Sequence, residues 1–321
     1  MTINYDELRS RISGPVFSIL TPFRKDEEVD WDSLGSYIDL IYERGGRIFY
    51  AMAYNSRYSQ LTDLEIRNLN EFVIKQVKAK DSDNICIVGD PIHCSTNTTI
   101  KIAQHAEEAG ADLISLLFRE KLFSEEQVVA HYQRVSDATD IGLLVHEMPF
   151  LSGLNGQPTN WPLSLLDRVA DIPRVIAIKE DAKDDQYTRE VLSAVCDRMA
   201  VIISGGGKRQ WLRFKDAGAG AWLNGIGVFE PALARRFWAA HQTDDQDLID
   251  RIVQEIEVPF FERCVARYGW HLAVKSALEA RGVMSRRERM PMMALPDVEH
   301  EEVVGVIRSL PIDELAGFES G

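Results

Sequence analysis

Lys179 ends the almost unbroken apolar run Val175–Lys179, and a cation in that position is the feature of the sequence with the most chemical consequence. Lysine is seldom buried without a task or a partner. In a water-poor setting the neutral amine is favoured over the ammonium, and a neutral amine is a nucleophile. Such an amine attacks a ketone to form a Schiff base, whose iminium then acts as an electron sink. The alternative for this lysine is an ion pair with Glu180, Asp181 or Glu147. Other polar groups close similar runs. They are Tyr54, Asn55 and Arg57 after one, Asp90 and His93 after another, then Arg119, His146 with Glu147, Ser204 with Gly205, and Asn224.

The runs themselves must hold these groups in register. Eight of them, Val16–Phe23, Arg47–Ala53, Ile85–Pro91, Asp112–Phe118, Gly142–Pro149, Val175–Lys179, Ala200–Ser204 and Ala221–Ile226, alternate with amphipathic stretches. Continuous apolar runs suit parallel strands covered on both faces. Helix starts are readable at Asp30, at Thr62 with Glu65, at Ser124 with Gln127, and at Pro231. Gly110 and Gly218 follow two helices where a left-handed closing residue is useful. Eight strand–helix units predict a (β/α)8 TIM barrel over residues 1–240, with a C-terminal helical extension over 241–321. That extension is rich in aromatic residues and is expected on the barrel's flank or at a subunit contact. The competitor is an open doubly wound sheet, whose dinucleotide-binding form is weakened by the lack of GxGxxG after the first strand. Gly205-Gly206-Gly207-Lys208 lacks the spacing of a phosphate loop.

A barrel places its reactive groups where strands end and the following loops begin, which is where the residues above fall. Composition bounds the partners. A net charge of −14 disfavours broad contact with nucleic acid or anionic lipid. No apolar run reaches the length of a membrane span, and the N-terminal stretch lacks a signal peptide's apolar core. The four cysteines have no metal-binding spacing and read as reduced thiols, so a cytoplasmic location is expected, with no cofactor and no metal.

Read together, Gly14 to Phe23, Leu61-Thr62 with Glu65, Ala106 to Asp112, Pro149 with Ser152-Gly153, Val175 to Glu180, Gly218 to Gly220, and Lys275, Leu278 and Gly282 carry a resemblance. In order and spacing they resemble the dihydrodipicolinate synthase and N-acetylneuraminate lyase family over nearly the whole chain. The resemblance implies a homo-oligomeric barrel, dimer or tetramer, whose strand-six lysine forms a Schiff base with pyruvate or another 2-oxo acid; Lys179 is the matching position.

The departures bear on substrate. Where the family has a hydroxyl-rich turn after strand two for the substrate carboxylate, this chain reads Ala53-Tyr54-Asn55-Ser56-Arg57. Tyr54 and Asn55 keep hydrogen-bonding groups, and Arg57 either holds a carboxylate through paired hydrogen bonds or is a solvated loop residue. His146 replaces the family's proton-relaying tyrosine, and a histidine can accept and donate a proton near neutrality. The alternative is a ring quietly hydrogen-bonded at the barrel top. Glu147 orients that ring or binds substrate. Arg119 stands where the synthase branch has the second of two aromatic residues, and it can bind an anion. Leu151 replaces an arginine of that branch, which makes lysine-pathway synthesis an unfavoured reading.

The leading expectation is therefore a Schiff-base lyase or aldolase acting on a small 2-oxo acid, with Lys179 and His146 catalytic. Tyr54, Asn55, Arg57, Arg119, Glu147, Ser204, Gly205 and Asn224 are expected to bind substrate. A Schiff-base dehydratase of a 2-oxo-3-deoxy sugar acid uses the same imine and is separated by its products. A metal enzyme built on Asp90, His93, His146, Glu147 and Glu180 has the ligand types without a recognised spacing. A barrel that binds a ligand without catalysis is the remaining class, since fold alone does not establish function.

Overall fold

The computed structural model describes residues 3–93, 95–117, 123–148, 160–204 and 208–318. Eight parallel strands close into a barrel in sequence order, β1 pairing with both β2 and β8. They are β1 (Gly14–Ser18), β2 (Ile48–Tyr50), β3 (Ile85–Asp90), β4 (Leu113–Leu116), β5 (Gly142–His146), β6 (Val175–Glu180), β7 (Ala200–Ile203) and β8 (Ala221–Leu223). The expected barrel is the observed one, although several strands are shorter than the apolar runs that announced them. Arg47–Ala53, for instance, yields Ile48–Tyr50, because Met52 takes a left-handed φ of 59° and the ladder stops.

Both faces of the sheet are covered, which is why the strands read as unbroken apolar runs. Val16, Ile48, Tyr50, Ile87, Leu144, Ile202 and Ala221 belong to one cluster, joined by Leu8 and Ile12 at the N-terminal helix Tyr5–Arg11. A larger cluster packs between the strands and the surrounding helices. Helix ends follow the sequence signals. Thr62 with Glu65 and Ser124 with Gln127 form reciprocal capping boxes, Asp30 accepts from the Ser33 amide, and Gly110 and Gly218 are left-handed. Gly14 is demanded by its place: φ is +81°, and a Cβ there would lie 2.9 Å from the Trp238 ring.

After β8 the helix Pro231–Gln242 completes the last unit. The helical chain from Gln246 then widens into π-helical stretches at Ile252–Glu257 and Phe261–Val265 on either side of Pro259. Proline cannot donate a backbone hydrogen bond, and such widening is one way for a helix to absorb that loss. The helix Trp270–Ala280 follows. These segments return to the barrel mouth rather than only covering a flank, a placement that no local pattern in the sequence signals. No described helix is long and apolar enough to cross a membrane.

Candidate active site

Lys179 sits on β6 beside His146 of β5 and Ile202 of β7, its partners in register. Its side chain is 1% exposed, and Nζ donates to Asp181 Oδ2 at 2.9 Å. Residues two apart on a strand face the same way, so β6 delivers the amine and this carboxylate to one side. The ion pair anticipated as an alternative is thus present, with Asp181 as partner. Both residues line a cavity of about 330 Å³ at the barrel mouth. Tyr54, Asn55, Ser204 and Asn224 line it too, with Lys183, Leu223, Gly225, Phe261, Val265 and Trp270.

Asn224 follows β8, is 1% exposed, and has neither amide atom hydrogen-bonded among the described residues. A buried amide without partners carries a desolvation cost that a bound polar group would relieve. Gly227 makes room for it, since a Cβ there would approach the Asn224 amide nitrogen to 2.1 Å. Asn55 is different. Its amide donates to Ser18 Oγ at 2.8 Å and accepts from Trp270 Nε1 at 2.9 Å, so it fastens the strand-two loop to β1 and to the helix Trp270–Ala280. Phe261 and Trp270 stack with ring centroids 5.6 Å apart, and with Val265 and Leu223 they make one wall of the cavity apolar.

His146 lies just outside that lining. Its Nδ1 is 3.2 Å from the Tyr50 hydroxyl, which is 2.6 Å from Ser115 Oγ. Nε2 is buried and has no hydrogen-bond partner among the described residues. Burial first, and the Lys179 charge second, hold the imidazole well below its ordinary value. The ring is therefore neutral at ordinary pH. Tyr50 escaped sequence reasoning, although a tyrosine in a buried strand usually finds a partner for its hydroxyl.

Two expected binding groups do not line the cavity. Glu147 accepts hydrogen bonds from the Trp161 backbone N–H and from the Tyr187 hydroxyl, the latter at 3.1 Å, and it does not line the cavity. Neighbouring strand residues point to opposite faces, so His146 and Glu147 are not expected to share one. Arg57 has a left-handed φ of 53°, lies over the Tyr54 ring at 5.0 Å, and is close enough to Glu288 to lower that carboxyl's pKa. It too is absent from the lining. Arg119 and Gly205 lie outside the described residues. The acids considered for a metal are dispersed: Asp90 accepts from His93 and Thr99, and Glu180 from Thr188 and the Ala182 amide.

The sequence model of the dihydrodipicolinate synthetase family matches residues 11–310 of this chain. The chain belongs to that family. Membership makes it a lyase-type enzyme, and the low identity to relatives marks it as a divergent member. The 4-hydroxy-tetrahydrodipicolinate synthase of Psychrobacter arcticus is 22% identical over 309 residues, covering 94% of this chain and 97% of the relative. That of Pseudomonas putida is 24% identical over 299 residues, covering 92% and 98%. Among solved structures, YagE, an Escherichia coli prophage protein of the dihydrodipicolinic acid synthase family in complex with pyruvate, superposes with a TM-score of 0.80 at 19% identity. The match covers 94% of this chain and 99% of that one. The chloride-inhibited synthase of Acinetobacter baumannii, also complexed with pyruvate, gives 0.80 at 21% identity over 94% and 99% of the two chains.

Proposed function

We propose that this family member joins Lys179 covalently to a 2-oxo acid and uses the imine to make or break the adjacent carbon–carbon bond. The observation that carries the reading is the position of Lys179, buried at the end of β6 and opening on the cavity. An imine formed there withdraws electrons from the α-carbon, which both aldol cleavage and aldol addition require. The unpartnered amide of Asn224 and the Ser204 hydroxyl are suited to the acid's oxygens. The wall of Phe261, Val265 and Trp270 is suited to the part of the substrate beyond the reacting bond. His146, neutral and one strand away, relays a proton at the reacting carbons. Pyruvate is the first acid to try, since two related proteins are named as pyruvate complexes. Treatment with pyruvate and borohydride should inactivate the enzyme and add one reduced pyruvate residue to its intact mass. Full activity and unchanged mass across pyruvate and longer 2-oxo acids would refute the proposal. A dehydratase would label equally and would release water rather than an aldehyde, so product analysis decides between the two.

A further inference from the structure

Imine formation requires protons to move from the amine to the departing oxygen, and the group placed to move them is not His146. Among the described residues the Lys179 amine is hydrogen-bonded to Asp181 and not to His146, whose ring is held at the Tyr50 hydroxyl. Asp181 is in the lining, is 4% exposed, and holds the Lys179 amine at 2.9 Å through Oδ2. Its Oδ1 is buried and has no hydrogen-bond partner among the described residues, although the Lys183 ammonium stands 3.7 Å away. One oxygen therefore faces the nucleophile and the other remains able to face a ligand.

We infer that Asp181 is a catalytic residue, the carboxylate that carries protons from the Lys179 nitrogen to the ketone oxygen of the incoming acid. This rests on the Schiff-base reading above and adds the proton path to it. The carboxylate takes one proton from the ammonium, and the freed electron pair attacks the ketone carbon. A carbon–nitrogen bond forms while the carbonyl π pair moves onto oxygen, which takes the proton from Asp181. The carboxylate then removes a second proton from nitrogen and delivers it to the hydroxyl. The carbon–oxygen bond breaks, water leaves, and the nitrogen pair closes the iminium. One ammonium and one ketone have become one iminium and one water, with Asp181 again a carboxylate beside the new positive charge. Among the described residues, the charged and titratable groups facing Asp181 are Lys179 and Lys183, with Glu180 and the Tyr50 hydroxyl near enough to interact electrostatically.

The test is the rate at which pyruvate adds to the holo-length enzyme, quenched by borohydride at timed intervals and read by intact mass. Asp181→Asn keeps the shape and loses the basic oxygen. It should slow adduct formation by about 10²–10⁴-fold, the range for loss of a positioned proton carrier. Asp181→Glu, which keeps a carboxylate, should recover part of that loss. The shape of the pH profile of adduct formation should differ between the wild type and the Asn variant. A purely structural ion pair would lower the unfolding temperature of the Asn variant without altering the shape of the pH profile. Labelling by Asp181→Asn within threefold of wild type, or with the same pH profile, overturns the inference and leaves Schiff-base chemistry standing. A wild-type enzyme that never labels overturns both.

Discussion

Lys179 and Lys208 are both fully enclosed, at 1% and 0% exposure, and both begin just beyond or at the end of a barrel strand. Their surroundings differ. Lys179 opens on the mouth cavity and is held by Asp181 at 2.9 Å. Lys208 opens the short helix Lys208–Leu212, lies 5.7 Å from the centre of the Phe237 ring, and stands 3.9 Å from Glu257 with no hydrogen bond to its Nζ among the described residues. Burial pulls the Lys208 amine down to about 8. By basicity alone Lys208 would be a good nucleophile, yet it is absent from the cavity lining. A third lysine, Lys275, is equally buried, donates to the Thr21 carbonyl at 3.1 Å and faces Glu288 at 3.6 Å. Burial makes a lysine unusual; access to a cavity and a partner able to move its protons make it a candidate for chemistry.

The comparison can be broken first at the histidine beside Lys179. His146→Ala should lower turnover by about 10²–10⁴-fold, as expected when a positioned proton relay is removed. Pyruvate labelling at Lys179 should survive, because Asp181 remains. Steady-state turnover alongside timed labelling checks this, and an unchanged turnover would remove His146 from the mechanism.

The outline of this site was legible in the sequence to an uneven degree. Lys179 declared itself, since four apolar residues ending in a cation leave few structural options. Asp181 was visible only as a salt-bridge partner; the alternation of strand side chains was the signal that it shares a face with Lys179. The same alternation, applied to His146 and Glu147, already argues against giving both a place at the substrate. Phe261, Val265 and Trp270 could not be found this way. Their approach to the mouth depends on how the helices after β8 pack, and that is set by tertiary contacts such as the Trp270 to Asn55 hydrogen bond. The barrel itself was plain because parallel strands covered on both faces cannot alternate polar with apolar residues.

Substrate binding sharpens the contrast further. Asn224 should hold a substrate oxygen with its unpartnered amide. Its change to alanine is expected to weaken binding by about 1.5–3 kcal/mol, the usual worth of a hydrogen bond to a charged group. Arg57→Ala should weaken it less, since that side chain does not line the cavity. Dissociation constants for pyruvate measured on Lys179→Ala backgrounds separate this effect from imine formation. Equal affinity in the Asn224 variant would transfer the role to Ser204 or Tyr54.

The smallest effect on catalysis belongs to Lys208, whose consequence lies in stability rather than rate. Its folded value of about 8 is below the ordinary lysine value of about 10.4. Between those two the unfolded chain binds more protons than the folded one, so Lys208 makes stability rise with pH across that window. Lys208→Met should remove this rise, on the order of 3 kcal/mol. Turnover should stay within about threefold of wild type, because the side chain does not line the cavity. Urea unfolding of both proteins from pH 7 to 10.5 checks the slope (about 1.36 kcal/mol per pH unit at most for one group). Parallel slopes would mean that the Lys208 ammonium stays paired with Glu257 throughout.

The most direct test of the whole account is where a reduced pyruvate adduct sits. After borohydride trapping, digestion and peptide mass mapping, the added mass should fall on Lys179 and on neither Lys208 nor Lys275. Lys179→Ala should then carry no adduct and no activity while remaining folded. Lys179→Arg should behave in the same way, because a guanidinium stays protonated and cannot attack the ketone. An adduct on Lys208, or full activity in Lys179→Ala, would contradict the account.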